Sequence, residues 1–202
     1  MGRRSDHSRA ELEALILEEG HRLMAEVGFA RFSAREIAKR IGYTVGTLYN
    51  VFGSYDLLVA TINTHTFEQW ASHLEDRLAA SSADRIGTLV EGYFSFAVSH
   101  YNVWTAIYDH RLPADMAMPE ALAIRRGTLT DVVTREIAAV LPENRKGEAP
   151  RLARSLIATV HGHCTFALNG SFALLGETEP LELATARVRE SLAAVMGMAE
   201  AS

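Results

Sequence analysis

Apolar residues recur every three or four positions along nearly the whole chain, and the alternation expected of half-buried strands is hard to find. That one pattern confines the fold to packed helices. The local signals agree with it. Ser8-Arg9-Ala10-Glu11 is a capping box, in which hydroxyl and carboxylate each satisfy a free backbone N–H. It opens a helix that turns Leu12, Ile16, Leu23 and Val27 inward, and Gly28 is placed to stop it. Ser33-Ala34-Arg35-Glu36 repeats the box and predicts a short second helix carrying Ile37, Ala38 and Ile41. Gly42 permits a sharp turn, and Thr44 is the expected N-cap of a third helix from Val45 to about Phe52. After Gly53-Ser54 a long fourth helix runs from about 55 to 79. Further helices are expected at about 84–100, with Ser81-Ser82-Ala83-Asp84 as its cap, and at 102–110, 120–141, 148–175 and 180–199. Pro113 and Pro119 mark a loop.

The chain has 202 residues, enough for a real core, with 48 % apolar and 22 % charged residues. That balance excludes a mostly disordered chain or a collagen-like one. A lone cysteine, Cys164, excludes a disulfide scaffold. The start, Met1 to His7, is polar and lacks the apolar core of a secretory signal, so a cytoplasmic location is expected. Ser155 to Gly176 carries no Asp, Glu, Lys or Arg and is long enough to span a bilayer. His161, His163 and Asn169 within it are costly in hydrocarbon, so a helix buried on most sides is expected and no membrane partner.

The net charge of −5 argues at first against nucleic acid. The first sixty residues, however, balance eight basic against eight acidic groups, and residues 31–50 carry Arg31, Arg35, Lys39 and Arg40 against Glu36 alone. A locally basic segment on an acidic body is compatible with binding double-stranded DNA, although such a stretch is more often a solvated face.

Two short helices joined by a glycine turn form a helix-turn-helix candidate. Ile37, Ala38, Ile41, Leu48 and Phe52 suit its interior. Thr44, Val45, Gly46, Thr47, Tyr49 and Asn50 remain for the outer face of the third helix. Thr and Asn can hydrogen-bond base edges, and Val can touch a thymine methyl. The stretch Phe32-Ser33-Ala34-Arg35-Glu36-Ile37-Ala38-Lys39-Arg40-Ile41-Gly42-Tyr43-Thr44-Val45-Gly46-Thr47-Leu48-Tyr49-Asn50-Val51-Phe52, followed by Leu57-Leu58, resembles the DNA-binding domain of the TetR family of bacterial transcriptional regulators.

The resemblance covers about residues 9–60. It implies an all-α protein: an N-terminal three-helix helix-turn-helix domain (1–58) and a C-terminal helical bundle for ligand binding and dimerisation (59–202). It implies a homodimer through the last two helices, a palindromic operator and a small-molecule effector. It suggests Thr47 and Tyr49 for phosphate, and Thr44, Val45 and Asn50 for base edges with Tyr43 flanking. Ser33 and Arg35 would lie near the backbone. The alternative for Tyr49 is that its ring fills the small core. Tyr55 stands where many relatives carry a phosphate-binding Lys, so the salt dependence should be shallower by about one contact. Val51 replaces a frequent aromatic residue. Thr159-Val160-His161-Gly162 resembles the helix that names the WHG-type C-terminal domain, without its Trp.

In that region Ala158, Gly162, Ala167 and Gly170 would allow two copies to approach closely, with Leu183, Ala186, Ser191 and Ala194 facing them; an ordinary core helix is the alternative. Trp70, Tyr93, Phe96, His100, Trp104, Tyr108, His161 and Phe166 could together line an apolar ligand pocket, though each alone reads first as core. Few are cationic, which disfavours a strongly anionic ligand. No cofactor is expected. No metal site is expected either, because His161 and His163 are two apart and do not share a helix face. No nucleophile elbow, P-loop or dinucleotide fingerprint points to catalysis. The competing readings are a small-molecule-binding protein or enzyme without DNA binding, and a regulator that needs no ligand or activates.

Overall fold

The computed structural model describes residues 7–81 and 83–200. Arg3 and Arg4 of the charge count, the rest of Met1–Asp6, Ser82 of the expected cap, and residues 201–202 lie outside the described residues. Among the described residues ten α-helices follow one another: α1 (Arg9–Val27), α2 (Ala34–Arg40), α3 (Val45–Phe52), α4 (Tyr55–Ala80), α5 (Arg85–Ser99), α6 (Tyr101–Asp109), α7 (Glu120–Val140), α8 (Ala149–Leu168), α9 (Ser171–Leu174) and α10 (Pro180–Glu200). Short 3-10 turns cover Phe29–Arg31 and Glu143–Glu148. No strand occurs among the described residues.

The expected helix over 148–175 is broken. Asn169-Gly170 is a turn dipeptide, and Gly170 takes φ 79°, where a Cβ is disfavoured. The first capping box forms as expected: Glu11 N donates to Ser8 Oγ at 3.3 Å, and Ser8 N donates to Glu11 Oε2 at 2.7 Å. The second does not. The Ser33 side chain makes no cap bond, and its carbonyl accepts from Glu36 N and Ile37 N instead. The Glu36 carboxylate is drawn to Arg40 at 3.2 Å. Charge pairing one turn on thus outcompetes the local cap. Two caps went unforeseen or were only partly foreseen. Ser54 Oγ accepts from Leu57 N at 3.1 Å at the start of α4, and Asp84 Oδ1 accepts from Gly87 N at 3.0 Å at the start of α5.

The chain divides into two compact units, and the division is not sequential. One unit holds the residues up to Phe67 together with His100–Arg125; the other holds Glu68–Ser99 and the residues from Arg126 onward.

The first unit contains the helix-turn-helix. Ile16, Leu23 and Met24 of α1, Ile37 and Ala38 of α2, Leu48 of α3, and Leu58, Val59 and Ile62 of α4 form its core. Each of these side chains larger than alanine, fully buried, contributes about 1.5–3 kcal/mol. Gly20 brings α1 close to its neighbours, because a Cβ there would lie 2.6 Å from Ile62 Cδ1 and 3.3 Å from Ile37 Cδ1. Helix α6 belongs to this unit. Val103 and Ala106 join the same core, and Asn102 Nδ2 donates to Ala25 O at 2.7 Å near the end of α1. Asn63 Nδ2 of α4 donates to Ala106 O at 3.0 Å.

In the second unit Trp70 stacks on Phe96 with ring centroids 5.1 Å apart and meets Tyr93 edge-on at 4.5 Å. Helices α8 and α10 pack together, burying Ala153, Leu156, Val160 and Cys164 on one and Ala184, Val188 and Leu192 on the other. A buried carboxylate, Glu136, accepts from Arg85 Nη2 at 2.8 Å and from Arg135 Nε at 2.9 Å. Arg135 also grips Glu75 at 2.7 and 2.8 Å. Both guanidiniums hold the Glu136 carboxyl below the usual carboxylate range, Arg85 the more strongly.

Candidate nucleic-acid interface and apolar cavity

Helix α3 is fixed by one fully buried side chain, Leu48, and by a cap. Thr44 Oγ1 accepts from Thr47 N at 3.2 Å and lies 3.0 Å from Thr47 Oγ1. The turn before it closes through Tyr43 N to Ala38 O at 2.8 Å, with Gly42 at φ 75°. Thr44, Gly46 and Asn50 are exposed; Val45, Thr47 and Tyr49 are half-buried. The Thr44 hydroxyl is therefore engaged at the helix end. Val45, Tyr49 and Tyr55 all pack against the core of this unit. The Tyr55 ring sits 6.2 Å from that of Phe32, and burial raises its phenol pKa. Tyr43 OH lies 2.9 Å from His7 Nδ1. Ser33 is half-buried and Arg35 exposed.

The basic segment is less available than its composition implies. Arg40 is held by Glu26 at 2.9 Å, Glu19 at 3.1 Å and Glu36 at 3.2 Å, and these carboxylates push its pKa further up. Arg31 Nε donates to Val27 O at 3.3 Å, capping α1. Lys39 stands 3.9 Å from Glu36. Among the described residues, Arg31 and Arg35 are the cations of this segment with no ion pair. The α3 face itself is neutral, and the positive end of its dipole lies at Thr44.

The eight aromatic and imidazole candidates do not converge. Trp70, Tyr93, Phe96 and His161 come together in the second unit, where Tyr93 OH and His161 Nδ1 are 2.9 Å apart. Burial lowers the His161 pKa and favours the neutral ring. Phe166, 45 % exposed, packs edge-on against Phe172. His100, Trp104 and Tyr108 fall in the first unit, the last two in an edge-on pair 5.7 Å apart. Sequence reasoning missed a different feature. A cavity of about 40 Å3 opens among α4, α5, α7, α8 and α10, with Leu74, Ile86, Leu89, Leu129, Val160 and Val188 in its wall and Tyr93 as the one candidate among them. Aliphatic residues at helical spacing look the same whether they pack a core or line a void, so no sequence signal marks it.

Among the described residues no cluster of three or more His, Cys, Asp or Glu could hold a metal ion. The Cys164 thiol is buried, and that burial pushes its pKa up to about 12, so it is inert as a nucleophile. No helix of the described residues is long and apolar enough to cross a membrane.

Comparison with known proteins bears on both units. Residues 16–62 match the family described as bacterial regulatory proteins, tetR family, and residues 86–191 match the tetracyclin repressor-like C-terminal domain. The HTH-type transcriptional regulator Rv1816 of Mycobacterium tuberculosis is 28 % identical over 137 residues, a match covering 66 % of this chain and 57 % of that protein. A Rhodococcus sp. RHA1 protein of unknown function aligns over 96 % of this chain and all of its own, with TM-score 0.70 and 20 % identity. The multidrug binding protein EbrR, solved with imidazole, aligns over 95 % of this chain and 96 % of its own, with TM-score 0.60 and 21 % identity. These solved structures share the fold. The two family matches, which together take in the helix-turn-helix and most of the helical remainder, settle the family: the chain belongs to the TetR family of bacterial transcriptional regulators, not to an enzyme family.

Proposed function

We propose that the chain is a homodimeric repressor that binds a palindromic operator and leaves it when a small, largely apolar molecule binds the second unit. The observation that carries this reading is the division of labour on α3. Leu48 is fully buried while Thr44, Gly46 and Asn50 face outward, so one side anchors the helix and an uncharged side is open to a major groove. Thr44, Val45 and Asn50 read base edges. Thr47 and Tyr49 hold phosphate, Tyr43 and Tyr55 flank the helix, and Ser33 and Arg35 meet the backbone. In a dimer two such helices lie in successive grooves, about 34–36 Å apart. The protein acts in the cytoplasm, where the DNA is.

The open face of α8 supports the dimer. Ala158, Gly162 and Phe166 are exposed, and nothing lies within 4 Å of where a Gly162 Cβ would stand. On α10 Ala194 and Met196 are exposed as well. The structural likeness to EbrR, a multidrug binding protein, agrees with a small-molecule effector. Effector binding releases DNA only through unequal affinity for two arrangements of the protein.

The test is a gel shift of the full chain on promoter DNA beside its own gene, at several salt concentrations. A shift that weakens with salt is expected. Thr47→Ala and Tyr49→Ala should weaken binding to all sequences alike, whereas Val45→Ala should relax preference at one base pair. Equal loss on every operator variant for Val45→Ala removes it from the readers, and absence of any shift removes the repressor reading.

A further inference from the structure

The cavity among α4, α5, α7, α8 and α10 has an unusual wall for an effector site. Its lining is aliphatic apart from Tyr93, and no Asp, Glu, Lys, Arg or His stands in it. An ionised ligand would give up its hydration there and receive nothing in return. The Tyr93 hydroxyl already faces His161 Nδ1 at 2.9 Å, and Thr165 Oγ1 lies 3.4 Å from His161 Nε2. Trp70 and Phe96 are stacked on each other at an interplanar angle of 3°, so neither ring opens into the wall. Few polar atoms remain in the wall to hold water, so water inside it is weakly held. Its 40 Å3 is well below the ~150 Å3 of an apolar cavity that takes benzene. It has room for a chain of about three or four carbons.

We infer that this cavity takes the alkyl part of a short, uncharged aliphatic molecule and rejects the matching carboxylate and larger aromatic compounds. The inference names the ligand class of the effector site proposed above and rests on that reading. The gain is apolar burial, about 0.8 kcal/mol or fourfold in affinity for each methylene enclosed. The gain ends when the cavity is full. Mere partition onto the protein would continue to climb with chain length. Trp70 contacts Tyr93, whose ring is part of the wall, and so serves as a fluorescent reporter of occupancy.

The experiment titrates the full chain with 1-propanol through 1-heptanol and with butanoate through heptanoate, reading tryptophan fluorescence. Saturable binding is expected for the alcohols, rising about fourfold per carbon and levelling once the cavity is filled. No response is expected from the carboxylates. Val188→Phe fills the space and should abolish the response while leaving the melting temperature near that of the parent. Val133→Ile takes up a single methylene and should weaken the best alcohol about fourfold, which serves if Val188→Phe does not fold. Equal binding of carboxylates, a response that survives filling, or affinity that climbs without a plateau overturns the inference. A gel shift on the same samples separates the two readings. Operator binding with no alcohol response defeats the ligand class alone, and alcohol binding without any DNA shift defeats the regulator reading alone.

Discussion

Gly20 sits in the middle of α1, where replacing glycine by alanine ordinarily stabilises a helix by about 1 kcal/mol. Here the opposite is expected. The new Cβ would fall 2.6 Å from Ile62 Cδ1 and 3.3 Å from both Ile62 Cγ1 and Ile37 Cδ1. Ile62 and Ile37 are completely buried, so neither can swing into solvent. Overpacking of this kind costs about 1–3 kcal/mol, which offsets or exceeds the helical gain. Gly20→Ala should therefore destabilise by up to about 2 kcal/mol, or lower the melting temperature by about 2–8 °C. Ile62→Val deletes the clashing Cδ1. Alone it should cost about 0.5–1.5 kcal/mol. In the Gly20→Ala background it should cost nothing or stabilise, leaving a favourable coupling of at least about 0.5 kcal/mol in a double-mutant cycle. Urea unfolding of the four proteins, followed by circular dichroism, measures this. Additive effects, or a stabilising Gly20→Ala, would refute the close approach of α1 and α4 at this point.

Thr44→Ala should remove the α3 cap and destabilise the first unit by about 1 kcal/mol, while Thr44→Ser, which keeps the oxygen, should not; thermal melts compare them. His21, half-buried beside His65 with ring centroids 5.1 Å apart, has its pKa lowered to about 4, chiefly by burial and then by His65 and His100. The unfolded chain takes up this proton first, so stability should fall as pH drops from about 6.5 toward 4, and His21→Phe should flatten that slope in urea melts across the range. Tyr55→Lys should steepen the dependence of DNA affinity on salt by about 0.9 per site, read from gel shifts at several salt concentrations, at some cost in packing against Phe32.

The helices were legible because capping residues, glycine stops and apolar spacing are local, and the helix-turn-helix lies within reach of one another along the chain. What was not legible depended on distant partners. A helix at 102–110 was expected, but not that Val103, Ala106 and Asn102 would serve the core around α1. The Ser33 box was a sound local expectation that failed because Arg40, seven residues on, offers Glu36 a full charge. Gly170 was read for close approach, while the Asn169-Gly170 turn it makes went unread. On the outer face, composition suggested which residues of α3 were available, but the Thr44–Thr47 bond decides what the Thr44 hydroxyl does. The aromatic residues drew attention as a ligand pocket, whereas the cavity is walled by leucine, isoleucine and valine, which carry no distinctive mark.

The three carboxylates around Arg40 have a bearing on how such a protein would search a genome. Random duplex is gripped through free cations, and among the described residues this unit keeps few of them. It would linger only briefly on unrelated sequence, slide over short stretches, and depend on hydrogen bonds and methyl contacts at the right site to stay. Releasing Arg40 by trimming its acidic neighbours would make the head stickier everywhere and, for that reason, less discriminating.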